Sequence, residues 1–170
     1  MQSIVKKLQS RNEGVQIQLG MRYGNPSIEK ALNYFKNQNI YKILVLPLYP
    51  QAGSPTNSST FDEISRVLNG WPWLPNLRFI NGYHDHEEYI TAISNSIKQS
   101  TSNCDEIEKI IFSFHGMPVR YLNEGDPYYC FCHKTARLVA ERLKLQADRY
   151  ILPFQSRFGS EEWLQPYIDE

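Results

Sequence analysis

Short apolar runs alternate along the chain with stretches in which apolar residues recur every three to four positions. The apolar runs predict strands at residues 16–21, 43–48, 77–80, 110–114 and 149–154. The periodic stretches between them predict helices. Strands that alternate with helices in this way form parallel sheets covered by helices, so the pattern predicts an α/β fold.

Four of the predicted helices have recognisable starting residues. The first follows Ser27, the second begins at a capping box over residues 60–63, and the third begins near His86. The fourth begins at Asp126, which serves as N-cap, with Pro127 in the first helical position.

Residues 81–85 follow a predicted strand and precede a predicted helix, and they are the candidate domain boundary. Each half then contains only part of an α/β layer. Both ends of the chain also look cut. Asp169 and Glu170 are typical of the acidic first turn of a helix, while residues 4–8 are typical of the last turns of an amphipathic one.

Composition excludes several classes of function. The chain has 18 basic and 18 acidic residues and no run of Lys or Arg, so we expect no nucleic-acid partner. The three cysteines, Cys104, Cys130 and Cys132, do not form a disulfide framework, which favours a reducing, cytoplasmic location. No apolar run is long enough to span a membrane.

His115 is the strongest candidate for a catalytic or metal-binding residue. It ends the predicted strand 110–114, and Gly116 and Pro118 then turn the chain. Ligands of open α/β sheets bind at the carboxyl ends of strands, and a neutral imidazole can bind a divalent metal or accept a proton. A structural histidine at a strand end is the alternative.

Two further segments follow predicted strands. The polar loop 49–60 precedes a helix, whose free N–H groups could hold a propionate or a phosphate, although an ordinary capped loop is favoured. In the other segment, Arg157 could pair with a carboxylate while Gln155 and Ser156 form neutral hydrogen bonds. A solvated surface arginine explains that segment equally well.

Two clusters contain metal-ligating residue types, but the pattern favours structural roles. Residues 130–133 hold a C-x-C-H motif, yet residues two apart in a helix point to nearly opposite faces. Residues 84–88 are typical of a charged helix start. The sequence has no dinucleotide, Walker A, zinc-protease or nucleophile-elbow motif.

Six segments together resemble bacterial ferrochelatases in order and spacing. They are GMRYGNP at 20–26, VLPLYPQ at 45–51, SFHGMP at 113–118, GDPY at 125–128, FQSRFG at 154–159 and WLQPY at 163–167. The resemblance covers essentially the whole chain. It implies two Rossmann-like domains that share a porphyrin cleft, with residues 1–81 from the later part of the first domain and residues 82–170 from the early part of the second.

The resemblance also implies an activity, the insertion of Fe²⁺ into a porphyrin in heme biosynthesis. His115 matches the family's active-site histidine, described as a metal ligand, a proton acceptor or both. Six other positions match cleft-lining or nearby segments and are the candidate substrate-binding residues: Tyr49, Ser54, Thr56, Gln155, Ser156 and Arg157.

Some features of the family are not matched. An opening strand and a porphyrin-contacting lip would precede this chain, and an acidic cleft residue would lie beyond residue 170, so a truncated form is expected. Ser54 stands where certain cluster-bearing members have a ligand, so we expect no [2Fe–2S] cluster and no other cofactor. Peripheral membrane contact is compatible with the resemblance. Two alternatives stay open: a related chelatase for cobalt or another divalent metal, and a non-catalytic porphyrin-binding fragment.

Overall fold

A computed structural model describes residues 1–104 and 106–170. The chain divides into two compact units. The first contains Met1–Pro47 and Pro55–Asn81, and the second contains Leu48–Ser54 and Gly82–Glu170. The assignment of residues 1–81 and 82–170 to parts of two family domains stays a prediction.

The first unit packs helices against a two-stranded parallel sheet. Its elements are α1 (Gln2–Arg11), α2 (Ile28–Asn37), β1 (Lys42–Val45), α3 (Ser59–Leu68) and β2 (Asn76–Phe79). Strands β1 and β2 pair in parallel, with Ile43 opposite Leu77. Apolar side chains of α2, α3 and β1 form the buried core with Trp71. A π-helical turn, Ser54–Ser58, leads directly into α3.

The second unit has two long helices, one short helix and two short parallel strand pairs. Its elements are α4 (Glu87–Thr101), β3 (Ile110–Ile111), β4 (Phe114–His115), α5 (Val119–Asn123), α6 (Tyr128–Leu143), a 3₁₀ turn (Ala147–Arg149), β5 (Tyr150–Ile151) and β6 (Phe154–Gln155). Strand β3 pairs with β5, and β4 pairs with β6. The core below them includes Met117, Cys132 and Phe154.

The predicted α/β class with parallel strands is confirmed, but three predicted strands are shorter or divided. The strand predicted at 43–48 ends at Val45. The strands predicted at 110–114 and 149–154 are each divided into two. The division lies at Pro153, which has no N–H to donate to the parallel ladder, although its carbonyl still accepts a bond from the Phe114 N–H at 3.1 Å.

The predicted strand at residues 16–21 is wrong. Only Met21 makes a bridge, an isolated one to Ser27. Residues 17, 19 and 21 are half-buried and alternate with exposed positions, so the period-two pattern is present. A strand also requires a paired neighbour, and no strand among residues 1–104 and 106–170 forms a ladder with this segment.

The helix starts at Ser27 and His86 are confirmed, since each side chain accepts a hydrogen bond from an N–H of the first turn. Asp126 accepts such a bond from the Tyr128 N–H at 2.9 Å, although the helix begins one residue later than predicted. The capping box is wrong. Thr60 lies inside α3, and its hydroxyl donates back to the Thr56 carbonyl because the π-helical turn already precedes it. Within the described part of the chain, no helix is long and apolar enough to cross a bilayer.

Candidate functional site

His115 lies at the end of β4, directly opposite Gln155 of β6. Side chains of paired residues on neighbouring strands point to the same face of a sheet. Both of these side chains are exposed. The fold therefore brings two of the predicted site residues to one solvent-facing surface of the second unit.

The peptide group that follows His115 is held on both edges. The Gly116 N–H donates to the Gln155 carbonyl at 2.6 Å, and the Tyr128 hydroxyl donates to the His115 carbonyl at 3.0 Å. A Cβ atom at position 116 would lie 2.9 Å from the Gln155 carbonyl oxygen and 3.1 Å from the ring of Trp163. Glycine is required here because the neighbouring backbone approaches so closely.

The imidazole of His115 has a defined tautomer. Its Nδ1 atom lies 2.8 Å from the carbonyl oxygen of Gly116. A carbonyl oxygen only accepts hydrogen bonds, so the neutral ring carries its proton on Nδ1. The lone pair of Nε2 is then available to a metal ion or to a proton.

The loop Leu48–Ser54, which contains Tyr49, is anchored on α6. The Gln51 side chain donates to the Thr135 hydroxyl at 2.9 Å, and the Ser54 N–H donates to Asp126 Oδ2 at 2.6 Å. The side chain of Tyr49 is exposed. The backbone of the loop is thus fixed to the helix while the Tyr49 ring faces solvent.

Asp126 uses both carboxylate oxygens, because Oδ1 accepts from the Tyr128 N–H while Oδ2 holds the loop. Tyr128 in turn reaches the His115 carbonyl. These contacts join the loop, the start of α6 and the end of β4. The sequence predicted the cap at Asp126, which the bond to Oδ1 provides, but it did not predict the bond from the loop to Oδ2; the GDPY segment was the signal that could have indicated it.

Burial controls the ionisation of the groups around Tyr128. It raises the pKa of the Tyr128 phenol well above its usual range, and it raises the pKa of the Cys132 thiol to about 12. The phenol therefore stays protonated near neutral pH. Tyr128 is accordingly a hydrogen-bond donor to His115.

The remaining predicted substrate-binding residues lie in different settings. Ser156 has a positive φ of 69°, unusual for a residue other than glycine. The Arg157 guanidinium pairs with Asp169 at 2.9 Å and with Glu170 at 3.3 Å. Thr56 belongs to the first unit, where its hydroxyl donates to Asn57 Oδ1 at 3.3 Å.

The two clusters with ligand-type residues show the packing that the sequence favoured. Cys130 is exposed and Cys132 is buried, as expected for positions two apart on a helix. The His84 ring stacks on Phe131 at 3.7 Å. Within residues 1–104 and 106–170, no three or more His, Cys, Asp or Glu side chains are grouped to hold a metal ion.

Two surface depressions are lined by residues other than the predicted site residues. One, of about 270 Å³, lies between α4 and α6, and the other, of about 500 Å³, lies along α2. His115 lines neither of them. The candidate site is therefore defined by its chemical groups and their hydrogen bonds.

Comparison with known proteins gives a family. The ferrochelatase family model matches residues 1–170, the entire chain. The chain belongs to the ferrochelatase family. The ferrochelatase of Nitrosococcus oceani is 49% identical over 168 residues, which cover 99% of this chain and 46% of the relative. Ferrochelatase 2 of Shewanella oneidensis is 50% identical over 163 residues, covering 96% of this chain and 50% of the relative.

The ferrochelatase of Marinobacter nauticus gives a similar result, with 49% identity over 98% of this chain and 45% of the relative. The chain thus spans about half the length of the curated ferrochelatases that it matches. The resemblance of the whole chain to this family, inferred from its motifs, is confirmed.

Proposed function

We propose that this chain forms part of a ferrochelatase, a lyase-type enzyme that inserts Fe²⁺ into a porphyrin, and that His115 is its catalytic residue. The observation that carries the proposal is the fixed tautomer of His115. The bond from Nδ1 to the Gly116 carbonyl leaves the Nε2 lone pair directed away from the backbone. The family membership of the chain supports the same chemistry.

The reaction requires a base. A free-base porphyrin has two pyrrole N–H protons, and both must leave when Fe²⁺ takes their place. The Nε2 atom of His115 accepts one of these protons, or first binds the incoming Fe²⁺. Tyr49, Ser54, Thr56, Gln155, Ser156 and Arg157 are the proposed substrate-binding residues, and Fe²⁺ and the porphyrin are the substrates.

A chimera tests this role in a protein of full family length. Residues 1–170 replace the matching segment of the Nitrosococcus oceani ferrochelatase, to which this chain is 49% identical. Insertion of Fe²⁺ or Zn²⁺ into a soluble porphyrin is followed by absorbance and fluorescence. We expect insertion by the chimera and a fall of about 10²- to 10⁴-fold in the His115→Ala variant, because a positioned proton acceptor contributes that much.

The matched control is His86→Asn. His86 is also exposed, and asparagine can replace it as an N-cap, so this variant should insert metal at the parent rate. Porphyrin binding, measured by fluorescence quenching, should persist in His115→Ala. Equal turnover of His115→Ala and the parent chimera would remove His115 from the mechanism.

Several expectations accompany this proposal and stay predictions. They are the absence of a [2Fe–2S] cluster, a cytoplasmic location and a preference for iron over cobalt. Competition between Fe²⁺, Co²⁺ and Zn²⁺ in the chimera measures the metal preference directly. A preference for Co²⁺ would favour the related-chelatase alternative.

A further inference from the structure

The peptide group between His115 and Gly116 is clamped at both of its polar atoms. Its carbonyl accepts the Tyr128 phenol at 3.0 Å, and its N–H donates to Gln155 at 2.6 Å. A trans peptide group is planar, with its carbonyl and N–H on opposite edges. Two bonds on opposite edges therefore fix the rotation of this plane.

The direction of the imidazole depends on that plane. The side chain of His115 leaves the backbone at one end of the peptide group, and its Nδ1 bonds to the carbonyl of Gly116, the next residue. If the peptide plane rotated, the Gly116 carbonyl would move relative to the ring. The tautomer, and with it the position of the Nε2 lone pair, would no longer be fixed.

Tyr128 is itself held in place from two sides. Asp126 Oδ1 accepts its backbone N–H at 2.9 Å, and a Cβ atom placed on Gly53 would lie only 3.3 Å from the Tyr128 Cβ. Cys132 packs against the phenol one helical turn further along α6, and its side chain is fully buried. The Tyr128 hydroxyl is thus directed at β4 by the helix start and by the loop Leu48–Ser54.

We propose that Tyr128 is a positioning residue for His115, setting the tautomer and direction of the imidazole, and that Asp126 holds Tyr128 against the loop Leu48–Ser54. The catalytic part of this assignment rests on the function proposed above. Tyr128 contacts the backbone of His115 and acts through it.

Nuclear magnetic resonance on the 170-residue chain tests the assignment without any activity measurement. The variant is Tyr128→Phe, which removes only the hydroxyl. At about pH 8, where an ordinary imidazole is neutral, ¹⁵N shifts of His115 report its tautomer, and the ¹³C shift of its carbonyl reports hydrogen bonding. We expect an upfield carbonyl shift and a loss of the Nδ1–H tautomer in favour of a mixture.

Tyr129→Phe is the matched control. Tyr129 is the adjacent tyrosine and packs in the same core, where its ring lies against the rings of His133 and Phe154. This variant should leave both His115 signals unchanged. Asp126→Asn provides a second test if Tyr128→Phe does not fold. Asparagine still caps α6 but cannot accept from both N–H groups, so the same two signals should move in the same direction.

The chimera then measures the consequence for the reaction. Tyr128→Phe should lower kcat about tenfold with KM unchanged, since a neutral hydrogen bond of about 1.4 kcal/mol corresponds to that factor. Tyr129→Phe should retain the parent kcat.

The outcomes separate the two proposals. Unchanged His115 signals in the folded variants overturn the positioning role, whatever the chimera does. If the His115 signals change but the parent chimera inserts no metal, the proposed function is overturned. The control of the imidazole by Tyr128 is still supported in that case. Altered signals with an unchanged kcat show that the positioning does not serve the reaction, which overturns the catalytic part of the assignment.

Discussion

Gly116→Ala is the substitution that most directly tests the packing beneath the candidate site. The added Cβ atom would lie 2.9 Å from the Gln155 carbonyl oxygen and 3.1 Å from the Trp163 ring. Neither neighbour can move freely. The Gln155 oxygen belongs to β6, and the buried Trp163 donates its indole N–H to the Phe158 carbonyl at 2.9 Å. Strands β4 and β6 must therefore separate at this point.

The expected cost follows from two contributions. Overpacking of a close-packed site costs about 1–3 kcal/mol. Separation of the strands also lengthens the 2.6 Å bond from the Gly116 N–H to Gln155, a bond of a type that contributes about 1 kcal/mol. The free energy of unfolding of the second unit should fall by about 2–4 kcal/mol. At a urea dependence of about 2 kcal/mol per molar, the midpoint falls by about 1–2 M.

The assay must distinguish the two units. The chain has three tryptophans: Trp163 belongs to the second unit, whereas Trp71 and Trp73 belong to the first. Incorporation of 5-fluorotryptophan gives each a separate ¹⁹F signal during urea unfolding. Gly116→Ala should lower the midpoint of the Trp163 signal.

Gly70→Ala is the matched control, because a Cβ atom there would meet only the Val67 carbonyl oxygen at an ordinary 3.5 Å. It should change the free energy of unfolding that the Trp71 and Trp73 signals report by less than about 1 kcal/mol, and a small stabilisation is the favoured outcome. If Gly116→Ala were as stable as the parent chain, the close contact beneath His115 would be refuted.

Two other properties are open to direct measurement. In the folded chain, a chromogenic disulfide reagent should modify the exposed thiols of Cys104 and Cys130. It should not modify Cys132, because that thiol is buried and burial raises its pKa to about 12. Rapid modification of all three thiols would contradict this burial. Burial lowers the pKa of His84, so the unfolded chain binds a proton there at a higher pH than the folded chain does. Stability of the second unit should therefore fall as the pH drops below about 6.5 and level off below the folded pKa. His84→Phe should reduce the dependence of the free energy of unfolding on pH. The dependence that remains should come from His133, whose pKa is also lowered by burial. If urea unfolding of His84→Phe depended on pH as strongly as that of the parent chain, the assignment to His84 would be wrong.

The sequence predicted those features of the fold that depend on neighbouring residues. The helices that begin after Ser27 and near His86 were predicted from apolar residues that recur every three to four positions, a spacing visible in a single sequence. The structure adds that both side chains cap these helices. The strand predicted at 16–21 failed because pairing depends on a distant partner, which alternation within the segment does not reveal. Thr60 failed for a related reason, since a preceding π-helical turn removed the helix start that its spacing suggested.

The same distinction applies to the candidate site. The position of His115 at a strand end was predictable, because the apolar run and the Gly-Met-Pro turn are adjacent to it. The link between this site and the loop Leu48–Ser54 was not predictable, since Ser54 and Asp126 are 72 positions apart in the sequence and meet only in the folded second unit. The N-cap motif predicted the bond that Asp126 Oδ1 accepts from the helix start, but it gave no indication of the bond that Oδ2 accepts from Ser54.

The usefulness of His115 as a base depends on which ring nitrogen is protonated, and that property is set by its surroundings. In water both neutral tautomers of an imidazole are accessible, so a histidine identified from a motif has no assigned lone pair. Here the Gly116 carbonyl selects the Nδ1–H form. The preceding peptide group, between His115 and Gly116, is held in place because its carbonyl accepts from Tyr128 and its N–H donates to Gln155. It follows that substitutions which disturb this peptide should impair proton transfer even when the imidazole itself is retained.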